Sequence, residues 1–379
     1  MKWDIINLGD AATFHNGFAF KPSQWSDKGK EIIRIQNLTK SGSDINYFEG
    51  KIADRYKVTK GDLLISWSAT LGIFEWDGLD AWLNQHIFKV VFDKLEFDKS
   101  YFKHLINTSL FEMERQVHGS TMKHITKKKF DAFKVPYPPL ATQKKIAAIL
   151  DAADAYRQKT KTLIDTYDAL TQSLFLDMFG DPVTNPKGWE KAPMGELMTI
   201  VRGGSPRPIK NFLGGKNPWI KIGDATKGDD IYLHDTKEHI VDEGLSKTRL
   251  LPEGSLIFAN CGVSLGFARI ITFKGCIHDG WLAFSDFDKN VIDKIFLLKS
   301  LNSVTKYFRD TAPDGTQPNL NISIMKKYEI ILPPIELQEK YVKSLGLIHA
   351  QKTLAQQELE QADNLFNSLL QKAFKGELL

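Results

Sequence analysis

The sequence predicts an α+β chain in which two similar mixed α/β domains are each followed by a long helix, the two helices packing as an antiparallel coiled coil. Three observations lead there. A long segment occurs twice at one constant spacing, its apolar residues recur with helical periodicity, and a looser repeat of strands and turns precedes each copy.

The first segment, residues 138–180, lies without a gap over residues 333–375, every matched pair being 195 positions apart. Pro138-Pro139-Leu140 answers Pro333-Pro334-Ile335, Gln143 answers Gln338, Ser173-Leu174 answers Ser368-Leu369, and Phe179 answers Phe374. In the first copy Ile146, Ile149, Ala153, Tyr156, Leu163, Tyr167, Leu170 and Leu174 follow one another mostly at helical steps. The second carries Tyr341, Leu345, Ile348, Ala355, Leu359, Ala362, Phe366 and Leu369. Each Pro-Pro marks a helix start, where the missing N–H costs nothing, and Gly180 and Gly376 mark the ends. Only Gly346 interrupts either copy. At 1.5 Å per residue such a helix is a rod of roughly 60 Å, longer than one small domain covers, so the two copies are expected to pair. Ile146, Leu150, Leu163, Tyr167, Leu174, Tyr341, Leu345, Leu359, Phe366 and Leu369 are the candidate residues for helices of a partner protein, a thick intramolecular seam being the alternative.

The segments ahead of the helices match with a drifting spacing. Trp3 and Gly9 answer Trp189 and Gly195, Asn16-Gly17 answers Arg202-Gly203, Ile33-Arg34-Ile35 answers Ile220-Lys221-Ile222, Leu71-Gly72 answers Leu265-Gly266, and Gly119-Ser120 answers Gly315-Thr316. A drift of this kind is one scaffold with loops of different length. Strands are expected in Asp62 to Trp67, Ile87 to Phe92, Ser255 to Phe258 and Trp281 to Phe284, and short helices near Tyr101 to Glu114 and Val291 to Phe308. The expected division is domain 1 over 1–137, a spacer helix over 138–180, a linker over 181–188, domain 2 over 189–332 and a second spacer helix over 333–379.

Composition is that of an ordinary soluble protein, with no signal peptide pattern and no apolar run of membrane-spanning length, so the chain reads as cytoplasmic. Cys261 and Cys276 are too few for a zinc knuckle and read as small core residues, and the nine histidines show no metal-ligand spacing. The net charge of +4 says little, but its distribution says more. Lys123, His124, Lys127, Lys128 and Lys129 cluster in the first half, and Lys326 and Lys327 in the second, each group just ahead of a Pro-Pro pair. A solvated face explains any one cluster; its occurrence in both halves points to a polyanion.

With the duplicated frame in hand, the chain closely resembles the specificity subunit of type I restriction-modification systems. The resemblance rests on Leu174-Phe-Leu-Asp-Met-Phe-Gly-Asp181, on Asn185-Pro186-Lys187-Gly188-Trp189, on the two Pro-Pro-x-x-x-Gln helix starts and on Phe374-Lys375-Gly376-Glu377-Leu378, and it covers essentially the whole chain. It implies two target-recognition domains, each reading half of a split site in double-stranded DNA, with the helices holding them apart. As partners it implies two methyltransferase (M) subunits and, in the full complex, restriction (R) subunits. Catalysis is then expected on the partners, with S-adenosylmethionine, ATP and Mg bound there and no cofactor on this chain. The residues agree by omission: there is no Asn/Asp-Pro-Pro-Tyr/Phe motif, no dinucleotide-type glycine fingerprint and no phosphate loop. A self-contained DNA-modifying enzyme and a helical scaffold that binds no DNA are the competing readings.

Candidate DNA contacts are polar positions that interrupt the shared scaffold. Arg34 and Lys221 stand among apolar neighbours where strand alternation turns them outward, an ordinary solvated strand face being the equal alternative. Gln36, Asn37 and Lys40 follow the first strand, and Thr226 and Lys227 the second; Ser120, Lys123, His124, Lys128, Thr316, Gln317, Asn319 and Asn321 lie in or beside the matched Gly-Ser/Thr loops. Side chains of these types read base edges or hold phosphates. Trp67, Trp82, Trp219 and Trp281 are expected in the cores.

Overall fold

The structure, a computed structural model, describes residues 3–379 except 41–43, 117–124, 227, 263 and 313–318. It separates into two compact units, Met1–Lys161 with Gln356–Leu379, and Thr162–Ala355.

Each unit holds the same set of sheets. In unit 1, strands Thr13–Asn16, Ile87–Val91, Leu63–Ser66 and Gly72–Glu75 lie side by side in that order, all antiparallel. A second sheet orders Asn46–Phe48, Lys30–Ile33, Ala81–Leu83 and Lys57–Val58, its central pair parallel. Unit 2 repeats this strand for strand: Thr199–Arg202, Trp281–Ser285, Leu256–Ala259 and Ala268–Ile271, with Tyr232–Leu233 added at the edge. Its second sheet orders Glu238–Ile240, Leu213–Ile220, Gly275–Ile277 and Arg249–Leu251, again with a parallel centre. Asp4–Asn7 pairs with Lys134–Tyr137, and Lys191–Pro193 with Glu329–Ile331. Leu63–Ser66 and Leu256–Ala259 are buried at every position, which is why they read as continuous apolar runs rather than alternating ones.

The helices fall where the periodicity puts them, Leu140–Phe179 and Ile335–Lys375, with shorter ones at Lys99–Gln116, Lys294–Ser303 and Thr305–Thr311. Gly180 and Gly376 both take φ of 77°, the left-handed conformation that ends a helix and favours glycine. Within unit 2, Asp168 pairs with Lys352, and farther along the first helix Phe175 and Phe179 meet Tyr341. Partner numbers fall as helix numbers rise, so the helices are antiparallel. In unit 1 the Tyr156 hydroxyl bonds Glu358, and Arg157 Nε donates to Asp363 Oδ1 at 2.7 Å while its guanidinium covers the Phe366 ring at 4.3 Å.

The repeated glutamine has a mechanical role. Gln143 and Gln338 are fully buried. Gln338 Nε2 donates to Pro333 O at 2.7 Å and to Val291 O at 3.0 Å, and its Oε1 accepts from Asp293 N at 2.9 Å. Gln143 makes the same set with Pro138 O, Glu96 O and Asp98 N, the Glu96 contact being long at 3.5 Å. Asp293 itself caps Lys294–Ser303, so one amide ties the start of the long helix to the start of the domain's own helix.

The unit 1 core takes Ile146, Leu150, Phe366 and Ala373 from the long helices, and the unit 2 core takes Phe175, Phe179, Tyr341 and Leu345. This corrects the expectation for the apolar stripes. Ile146, Leu150, Tyr341, Leu345 and Phe366 are buried inside this chain, and Leu174 and Leu369 pack partly buried against the same cores, so they present little or nothing to a partner helix. Leu163 remains exposed, and Tyr167 and Leu359 are half-buried. The most open large apolar residues of the two long helices are Leu347, at 65%, and Leu354, at 56%, neither of which the stripe singled out. Trp82, Trp219 and Trp281 are core, and Trp67 is half-buried and stacked on Phe88. Cys276 is buried, whereas Cys261 is half-exposed. Among the described residues no helix is long and apolar enough to cross a membrane.

Candidate nucleic-acid interface

In each unit one stretch of chain leaves the second sheet and enters the first. In unit 1 it passes from Ala81–Leu83 to Ile87–Val91 through Asn84-Gln85-His86, and in unit 2 from Gly275–Ile277 to Trp281–Ser285 through His278-Asp279-Gly280. The crossing is fixed by backbone bonds, Asn84 N to Ile33 O at 3.2 Å and His278 N to Ile220 O at 3.1 Å. Another strand end is pressed against it. A Cβ on Gly17 would lie 2.1 Å from Asn84 O, and one on Gly203 would lie 2.2 Å from His278 O, so this approach admits glycine alone. That accounts for the matched Asn16-Gly17 and Arg202-Gly203.

Arg34 and Lys221 take equivalent places beside these crossings. Each is the extended residue that precedes a short helical turn, Ile35–Leu38 or Ile222–Ala225. Its backbone N–H donates at 2.9 Å to a side chain three residues on, Asn37 Oδ1 in one case and Asp224 Oδ2 in the other. The outward turn expected of both is therefore a cap rather than a strand position. Their side chains differ. Arg34 lies over the Trp25 ring at 5.0 Å and donates to the neutral Asn46 amide at 3.0 Å, whereas Lys221 pairs with the Glu238 carboxylate. Among the described residues Arg34 has no carboxylate partner, while Glu238 neutralises Lys221.

The remaining candidates divide. Gln36 and Asn37 both donate to Asp44 O, at 3.4 and 3.1 Å, and so help to hold their own loop. Lys40 is exposed with φ of 53°. Thr226 is exposed, its hydroxyl donating to Gly223 O at 3.1 Å. Asn319 Oδ1 accepts from Asn260 at 3.1 Å and forms a bridge with Cys261. Asn321 is an N-cap, accepting from Ile324 N at 3.0 Å, as Thr126 does from Lys129 N in unit 1. Lys128 is exposed on the short helix Lys127–Asp131. Ser120, Lys123, His124, Lys227, Thr316 and Gln317 lie outside the described residues.

Beside the crossing of unit 2 the structure brings together residues that the sequence did not single out. Arg202 Nε donates to Asp279 O at 2.7 Å, Arg249 Nε to Arg202 O at 2.9 Å, and Arg207 Nη2 to Asp279 Oδ2 at 3.3 Å. All three arginines are exposed. His278 Nδ1 accepts from Gly280 N at 2.8 Å, so in the neutral ring Nε2 carries the proton and donates to Asp279 Oδ1 at 3.1 Å. Burial pushes the His278 pKa below its ordinary value, against the pull of Asp279. Burial alone would raise the Asp279 carboxyl, but Ser205, His278 and Arg207 together hold it below the usual carboxylate range.

Asp229, Asp230 and His349 lie close enough to share one cation, but the Lys299 ammonium already occupies Asp230. Burial opposes ionisation there, and Lys299, His349 and Lys352 outweigh it, lowering the Asp230 pKa. The group is an ion-pair network between Lys294–Ser303 and the second long helix.

The family model for the type I restriction modification DNA specificity domain matches residues 1–166 and 186–364. The specificity subunit of the type I restriction enzyme EcoBI from Escherichia coli is 24% identical over 413 aligned positions, spanning 100% of this chain and 86% of the relative. That of EcoKI, from Escherichia coli K12, is 22% identical across 99% of this chain and 89% of the relative. Among solved structures, the S subunit of a type I restriction-modification system from M. genitalium superposes with a TM-score of 0.56 at 16% identity, covering 99% of this chain and 96% of that one. A chain from a structure describing assembly and conformational transition of the type I system reaches 0.67 at 17% identity, covering 100% and 98%. The solved structures share the fold.

Proposed function

This chain belongs to the type I restriction-modification DNA specificity family, and on that premise we propose how its two units divide the work. It is a DNA specificity subunit, acting in a complex with other restriction-modification subunits and DNA rather than as an enzyme itself. Each unit reads one half of a bipartite, asymmetric site in double-stranded DNA, and the paired helices scaffold two methyltransferase subunits, with restriction subunits joining the full complex. S-adenosylmethionine, ATP and Mg act on those partners, and the assembly works in the cytoplasm.

The observation that carries this reading is the combination of two sheets repeated in the same strand order with chemically different residues at their crossings. Asn16, Lys21, Asn84, Gln85 and His86 in one unit stand where the other has Arg202, Arg207, His278, Asp279 and Gly280. One scaffold carrying two chemistries reads two different half-sites, as two modules at fixed spacing read two sequences. Arg34, Gln36, Asn37, Lys40, Ser120, Lys123, His124, Lys128, Lys221, Thr226, Lys227, Thr316, Gln317, Asn319 and Asn321 are proposed for the same surface. The caps and ion pairs described above favour Arg34, Lys40, Lys128 and Thr226 over Gln36, Asn37 and Asn321.

The test is exchange of residues 189–332 for the matching domain of another family member, followed by sequencing of methylated positions in DNA treated with the reconstituted complex. One half of the target should change and the other should persist; a change in both halves would refute independent reading.

A further inference from the structure

Among the cations beside the crossing of unit 2, Arg207 is held differently from the rest. Its side chain is 79% exposed, yet one guanidinium nitrogen is anchored on Asp279. The anchor is itself gripped. Asp279 Oδ1 receives the Ser205 hydroxyl at 2.7 Å and His278 Nε2 at 3.1 Å, leaving Oδ2 for the arginine. Arg207 stands between Pro206, which is buried, and Pro208, so the backbone has little freedom to carry the side chain away. The neighbouring Gly204 packs where a Cβ would be 2.6 Å from Lys247 O, which pins the same loop against the next one.

A phosphate needs only a positive charge nearby, and a free lysine on a flexible stem serves. Orienting a planar fork with a carboxylate, while leaving its other donors in solvent, is the arrangement that suits a ligand with two acceptors at a fixed spacing. In duplex DNA the base edge that fits is the major-groove side of guanine, whose O6 and N7 accept together; a phosphate also offers two oxygens, and the lysine variant and the salt dependence below separate the two.

The equivalent place in unit 1 lacks the arginine, the carboxylate and the groups that grip it. Lys21 stands for Arg207 with the following proline retained, Ala19 for Ser205, Asn84 for His278 and Gln85 for Asp279. Lys21 has no carboxylate partner among the described residues. The Arg-carboxylate pair is thus a property of one unit and not of the scaffold.

We propose that Arg207, oriented by Asp279, reads a guanine in the half-site recognised by unit 2, and that unit 1 has no counterpart to this contact. The inference rests on the bipartite reading above. Arg207 is the contacting residue and Asp279 a positioning residue.

The experiment uses the complex reconstituted with its methyltransferase partners and a DNA library randomised over both half-sites, with methylation scored at every position. Arg207→Ala should reduce discrimination at one guanine of a single half-site by about 5- to 150-fold, the equivalent of the 1–3 kcal/mol of one bidentate pair. Arg207→Lys should not restore it, because an ammonium has no fork, and Asp279→Asn should weaken selection at the same position to a smaller degree. The other half-site should be unchanged in all three. Two results would overturn the proposal: guanine selection intact in Arg207→Ala, or a uniform loss across all sequences that Lys repairs and that lowers the salt dependence by about one charge, the mark of a phosphate contact. If the unaltered complex selects no bipartite site, the functional reading falls, and this inference with it.

Discussion

Replacing Gln338 with methionine keeps most of the side-chain volume and removes all three of its hydrogen bonds, so it separates polar satisfaction from packing. The change leaves Pro333 O, Val291 O and Asp293 N without their partner. A fully buried orphan costs about 1–3 kcal/mol. The bond to Pro333 is buried and should cost in that range, whereas the other two are only part-buried and recover some of their loss from water. The sum is about 2–4 kcal/mol, a large share of the roughly 5–15 kcal/mol by which a domain is stable. For a unit of this size the middle of that range lowers Tm by roughly 6–12 °C. Thermal and urea unfolding of the full chain measures the loss, and hydrogen exchange assigns it: protection should fall in Lys294–Ser303 and at the start of Ile335–Lys375 and persist in unit 1. A methionine variant within about 0.5 kcal/mol of the parent would show that the amide is there for its shape, and that its hydrogen bonds do not tie the two helix starts together.

Three further expectations concern other parts of the chain. Gly203→Ala puts a methyl group against backbone that cannot swing aside, so it should displace the crossing of unit 2 and impair one half-site while sparing the other, read by the same methylation assay. Asp230 has its folded-state pKa below the ordinary 3.8, so its contribution to stability is complete above that value and is lost as pH falls through the still lower folded value; Asp230→Asn should lower the urea midpoint at neutral pH and flatten the acid side of its pH profile. Lys128→Ala should weaken binding of the complex to all DNA sequences alike and reduce the slope of log affinity against log salt by about 1.

Much of this architecture is legible in the residues because it depends on local rules. A helical period, a proline start and a glycine stop placed the first long helix and the start of the second to within two residues, while the second, drawn to 379, ends at Lys375; the glycines at 17 and 203 were visible only as a matched pair, and the close approach that requires them came from the structure. The Arg202, Arg207, Arg249 and Asp279 cluster was not legible, since its members come from three separate stretches of chain that only the sheet order unites. The prolines flanking Arg207 were the one signal available. The apolar stripe misled for a different reason. Periodicity says that Ile146 and Tyr341 face something apolar, but not whether that is the chain's own domain or another protein.

The aromatic seat at the end of each long helix has a consequence for interchange. Phe179 is fully buried against Phe296 at 4.8 Å and Tyr341 at 5.3 Å, and Phe374, its match in the repeat, lies against Tyr101 at 5.8 Å. A recognition domain is thus not a bead on a string that can be cut out anywhere. It is a part with a standard joint, in which the helices supply the plug and the domain the socket. Among the described residues no ring contact of Phe179 or Phe374 involves a crossing, so loops there can vary without disturbing the joint. A transplanted domain whose socket does not fit would be expected to fail as a fold before it was ever tested as a reader.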